Sequence, residues 1–141
     1  MKCAKRMLAL ALLSLPILAV AQMTSSTRIV GEVPFPFMVA NKHVPAGQYT
    51  VEPLTQGARI LVIRNVDARV GLLTPVTPDE AKKAAGSCAL VFRKYGDQAF
   101  LTGIKLAGNG TIYQIPESPA EAELRSQNLT GTEEILLASA K

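Results

Sequence analysis

His43 is the only histidine in the 141-residue chain, and Cys88 is the only cysteine after Cys3. Zinc-type sites draw on several His and Cys ligands at short spacing, so the sequence predicts no structural transition-metal site. A thiol beside an imidazole can serve as nucleophile and base, but the residues around Cys88 match no thiol-enzyme signature. There is no G-x-S-x-G elbow, no phosphate-cradling G-x-x-x-x-G-K-[ST] and no G-x-G-x-x-G, and Gly108-Asn109-Gly110 reads as a turn. No cofactor is expected. Acid–base chemistry would need a carboxylate pair. Asp79 with Glu80 and Glu121 with Glu123 stand at helix-start signals, where acids match the helix dipole, and Glu133 with Glu134 stand in the tail. Most of the seven aromatic residues, Phe35, Phe37, Tyr49, Phe92, Tyr95, Phe100 and Tyr113, are expected in the core. A binding surface, if present, is placed around Arg93, Tyr95 and Phe100, where apolar and cationic groups share one face.

The elements that would hold these residues are strands. Candidates are Thr27 to Val33, Phe35 to Ala40, Gln48 to Leu54, Ala58 to Arg64 and Ala68 to Val76, separated by Asn-, Gly- and Pro-containing turns. Pro34 and Pro36 cannot donate ladder hydrogen bonds and put the second strand at a sheet edge. Ile60-Leu61-Val62-Ile63 is apolar on both faces and predicts a central strand. Thr77-Pro78-Asp79-Glu80 is a capping-box pattern, so residues 77 to 86 read as one or two helical turns or as a loop. The clearest hairpin runs from Ser87 to Tyr95, through Gly96-Asp97, to Gln98 and Ala107. A two-residue type II′ loop there pairs Tyr95 with Gln98, Phe92 with Leu101 and Leu90 with Gly103. Val91, Arg93, Tyr95, Phe100, Thr102 and Ile104 then share the opposite face. Cys88 begins the apolar run Cys88-Ala89-Leu90-Val91-Phe92 and is expected to be buried. After a strand from Thr111 to Ile115, Ser118-Pro119-Ala120-Glu121 caps a short surface helix with Leu124 as its anchor. Ile135 to Ala138 is a candidate final strand.

The beginning of the chain is of another kind. Lys2, Lys5 and Arg6 precede an apolar run from Met7 to Val20, and Ala19-Val20-Ala21 has the small-x-small form of a cleavage site. Residues 1 to 21 therefore read as a signal peptide, and residues 22 to 141 as a single β-rich domain with no membrane span after cleavage. The protein is expected in the periplasm or outside the cell. Without its three signal-borne cations the mature chain keeps 12 basic and 11 acidic residues, a net charge of +1. The basic isoelectric point belongs largely to the signal, and no nucleic-acid partner is expected.

Val33-Pro34-Phe35-Pro36-Phe37-Met38-Val39, Val44-Pro45-Ala46-Gly47-Gln48-Tyr49-Thr50-Val51, Leu90-Val91-Phe92-Arg93-Lys94-Tyr95-Gly96-Asp97 and Ser118-Pro119-Ala120-Glu121-Ala122-Glu123-Leu124 occur in that order. Together they resemble a family of small exported bacterial proteins whose function is uncharacterised. The resemblance spans residues 33 to 124 discontinuously and implies no reaction, substrate or catalytic residue. Ala99 and Lys105 stand where aromatic residues are expected in such relatives.

The sequence thus predicts an all-β antiparallel sandwich or small barrel of about seven to nine strands, with a short helix near the C-terminus. The expected function is a non-catalytic envelope or secreted module for a protein or surface polymer. A carrier of a small apolar ligand in a barrel interior is the first alternative, and a carboxylate-dependent hydrolase the second.

Overall fold

The computed structural model describes residues 28–55, 59–80, 86–108 and 110–141. The export signal expected at residues 1 to 21 lies outside the described residues, as do 81 to 85. The chain forms strands β1 (Ile29–Val33), β2 (Phe37–Val39), β3 (Lys42–Val44), β4 (Gly47–Pro53), β5 (Ile60–Asn65), β6 (Val70–Pro75) and β7 (Thr77–Glu80). It continues through β8 (Cys88–Tyr95), β9 (Gln98–Lys105), β10 (Thr111–Gln114), helix α1 (Pro119–Ser126) and β11 (Thr132–Ala140). The strands make one nearly closed barrel in the order β3-β2-β9-β8-β11-β1-β4-β5-β6, with β10 bridging β9 and β7. All pairings are antiparallel except β2 with β9, which meet in parallel at Met38 and Phe100. No helix among the described residues is long and apolar enough to cross a membrane.

Among the described residues eleven strands arise where the sequence predicts about seven to nine. The stretch from Phe35 folds back at Ala40-Asn41, both with positive φ, and so gives β2 and β3. β2 is consequently not an edge: β3 covers it, while Pro34 and Pro36 fall before its first residue. The capping signal at Thr77 yields strand, not helix. Thr77 to Glu80 pairs residue for residue with Gln114 to Thr111 on β10. With a neighbour on one side only, β7 tolerates the missing amide of Pro78.

Inside the barrel, side chains of alternate strand residues fill the space. Tyr49, Phe92, Ile63, Leu90, Ile104 and Val33 are fully buried there. Phe35 and Phe37 each meet Phe92 in a T-shaped arrangement with centroids 5.2 Å apart, and Phe37 meets Tyr49 at 5.0 Å. Each such pair contributes about 0.5–1.5 kcal/mol beyond area burial. Tyr49 also donates its hydroxyl to the Pro45 carbonyl at 2.6 Å, tying the proline turn to the core. Gly47 in that turn has φ +151, and a Cβ there would lie 2.6 Å from the buried Asn65 amide nitrogen. Cys88 is buried in the same core. Of the run Ile60 to Ile63, Leu61, Val62 and Ile63 are buried on both faces as expected, whereas Ile60 is exposed, and β5 lies beside the edge strand β6 and not at the sheet centre.

Candidate functional site

Arg93 and Tyr95 stand two residues apart on β8 and Phe100 faces Arg93 across the hairpin, so all three project to the barrel's outer surface. The structure brings them together, as the sequence predicts. It also covers them: α1 lies over this face, packing Ala120 and Leu124 against Met38, Tyr95 and Phe100. Tyr95 and Phe100 are buried and meet edge to face at 5.8 Å. Arg93 alone remains partly open to solvent.

Sequence reasoning missed the residue that organises this cluster. In the sequence Glu121 reads as part of a capping box and, with Glu123, as a dipole-matched pair of acids at a helix start. Its backbone amide does donate to the Ser118 hydroxyl at 3.2 Å, which caps α1. Its carboxylate turns to the barrel instead, where one oxygen accepts from Arg93 Nη1 at 3.2 Å and from Tyr95 Oη at 3.1 Å. Glu121 is 3 % exposed, so this is a buried charge held by a cation and a phenol. Burial, reinforced by the Glu121 charge, raises the Tyr95 pKa above its ordinary value. For Arg93 burial acts downward, but its contacts with Tyr95 and Glu121 outweigh it and the pKa is raised. Gly131, between α1 and β11, makes room for the arrangement. A Cβ there would lie 2.6 Å from Arg93 Cγ and 2.9 Å from the Tyr95 ring. The cluster is thus a clasp that fastens α1 to the sheet.

Other carboxylates are likewise engaged by cations. Glu52 bridges Arg28 and Arg64 at 3.1 and 3.0 Å, Glu134 meets Lys94, and Glu117 meets Arg125. Among the described residues no three His, Cys, Asp or Glu side chains converge as a metal site would require.

A different place is open. The barrel path ends at β6 on one side and β3 on the other, and a groove of about 330 Å³ lies between them. Val39, Ala40 and Lys42 of the β2–β3 hairpin line one bank, and Gly71 to Thr74 of β6 line the other. The Val76 amide donates to the Arg59 carbonyl at 2.8 Å, which fixes the hydrogen-bonding phase of β6 against β5. Antiparallel alternation then turns Val70, Leu72 and Thr74 toward β5 and leaves the main-chain N–H and C=O of Gly71 and Leu73 directed outward. Thr74, 1 % exposed, carries a hydroxyl with no hydrogen-bond partner among the described residues. Leu73 is 63 % exposed, although it is a large apolar side chain. The sequence predicts this stretch as part of a strand, Ala68 to Val76, and gives it no functional role. Its one available signal was a chargeless β-rich run, Val70-Gly71-Leu72-Leu73-Thr74-Pro75.

No protein-family model, curated protein or solved structure matches the chain.

Proposed function

We propose that the protein is an exported, non-catalytic β-barrel module that binds a protein or a surface polymer at the seam between β6 and the β2–β3 hairpin. The observation that carries this reading is the seam itself. The barrel interior is packed with its own side chains, whereas the seam presents outward main-chain groups, an exposed leucine and a buried unsatisfied hydroxyl. Polar groups left in that condition favour a state in which something pairs with them. The basic and apolar residues before Ala21, and the resemblance of the chain's motifs to small exported bacterial proteins, support action in the periplasm or outside the cell.

The test is site-specific photo-crosslinking of the mature protein in its own envelope, with a photoreactive residue at Leu73 and a control at the exposed Ile135 of β11. A discrete macromolecular adduct from position 73, absent from position 135, is expected. Adducts of equal yield at both positions, or none at 73, overturn the reading. A small-molecule mass retained by the native protein in mass spectrometry would replace it with the carrier function.

A further inference from the structure

Three described strands have a neighbour on one side only, namely β3, β6 and β7. Natural sheets guard such edges with charge, proline or brevity, because exposed main chain is a template for another strand. β3 has three residues and carries Lys42 and His43. β7 carries Pro78, Asp79 and Glu80. β6 has six residues, no charge, and no proline before its last position. A Cβ on Gly71 would meet no described atom within 4 Å, so the sheet face beside this edge is open there.

We infer that the β6 edge takes up an extended, acidic segment of a partner protein as an added strand. This rests on the seam being the binding site, and it specifies the partner and the mode of recognition. Main-chain hydrogen bonds to Gly71 and Leu73 supply sequence-independent affinity, and pockets for alternate side chains supply the choice of sequence. An apolar side chain of the segment enters between Val39 and Leu72, and a neighbouring hydroxyl or amide satisfies Thr74. The acidic character follows from Lys42. It lines the groove, and the described ion pairs engage Arg28, Arg64, Arg93, Lys94 and Arg125 but not Lys42. A second copy of the chain fits less well, because β6 carries no carboxylate to offer the partner copy's Lys42.

The experiment uses the mature protein and an array of short synthetic peptides of alternating apolar and polar residues, with Glu, Gln or Lys at each polar position. Binding is measured for the wild type and for Leu73→Pro, Leu73→Ala, Gly71→Lys and Lys42→Glu, with thermal unfolding as the check on folding. Glu-containing peptides are expected to bind best. Leu73→Pro, which removes the outward N–H, is expected to weaken them about tenfold, and Leu73→Ala only two- to threefold. Gly71→Lys repeats the loss by guarding the edge, should Leu73→Pro fail to fold, and Lys42→Glu moves the preference to Lys-containing peptides. Equal losses for Leu73→Ala and Leu73→Pro would overturn strand addition while leaving the seam as the binding site. Binding unaffected by all four changes would overturn both. An array without binders, or a wild-type dimer that Leu73→Pro dissociates, also overturns the inference.

Discussion

Glu121 of α1 accepts a hydrogen bond from Tyr95 Oη of β8 at 3.1 Å, and both residues are buried although 26 positions separate them. With Arg93 on the same carboxylate oxygen, this contact turns a three-turn-or-shorter helix into a fixed part of the barrel wall. An isolated helix of eight residues has little stability of its own in water.

Glu121→Leu leaves the buried Tyr95 hydroxyl without its acceptor and removes the partner of the part-exposed Arg93, and we expect a loss of about 1–3 kcal/mol. Glu121→Gln keeps an acceptor and should cost about half as much. Urea unfolding followed by circular dichroism measures both. Equal, negligible effects for the two variants would show that the clasp does not hold α1.

Gly131→Ala places a methyl group against the Arg93 stem and the Tyr95 ring. Overpacking of this kind costs about 1–3 kcal/mol. The cost should shrink in an Arg93→Ala background, because the stem that obstructs the methyl is then gone. A double-mutant cycle reads this coupling, and strict additivity would show that Gly131 acts through its own backbone.

The tyrosines set an alkaline limit. Burial raises both Tyr49 and Tyr95 above 10.0, with the Glu121 charge adding to the effect at Tyr95 and Asn65 opposing it at Tyr49. The folded chain therefore keeps these phenolic protons at a pH where the unfolded chain releases them. Their contribution is complete below the unfolded value and declines as pH rises from about 10 through the raised folded values. Unfolding midpoints measured from pH 9 upward should fall, and less steeply in Tyr95→Phe. Identical slopes in the two proteins would remove Tyr95 from this account.

Thr74→Val exchanges a buried hydroxyl lacking a partner for a methyl of similar size. We expect a gain of about 1 kcal/mol in the mature protein and a higher melting temperature. A site that holds such a group at the expense of stability fits a binding role. If the variant is less stable than wild type, the hydroxyl is already satisfied in solution.

Much of the candidate clasp was legible in the chain, and the seam was not. Arg93, Tyr95 and Phe100 share a face because strand alternation and a two-residue turn allow little else. Glu121 offered a local role as an N-terminal helix residue, which concealed its distant one. β3 and β7 carry the charge or proline that marks an edge, but β6 carries neither before its last residue. β6 reads like its neighbours, and only the order of strands makes it an edge.

The β8–β9 hairpin shows where sequence stops and tertiary structure begins. Gly96, with φ +61, sets the turn, and from it Tyr95 faces Gln98 and Phe92 faces Leu101, as the residues predict. Beyond that point the expected pairing of Leu90 with Gly103 fails. A bulge leaves Thr102 extra on β9, so Val91 faces Gly103 and Leu90 faces Ile104, which moves Ile104 from the outer face to the core. Thr102 is held by contacts from outside the hairpin's turn: its hydroxyl donates to the Val91 carbonyl at 3.2 Å, and its own carbonyl accepts from the Ile115 amide at 2.9 Å. Likewise the nine-residue β11, expected only from Ile135 to Ala138, gains its length by lying between β8 and β1. Turns and caps act through a few neighbouring residues, so the chain carries them in its letters. Bulges, edges and buried ion pairs depend on groups far apart in sequence, and only folding brings those into contact.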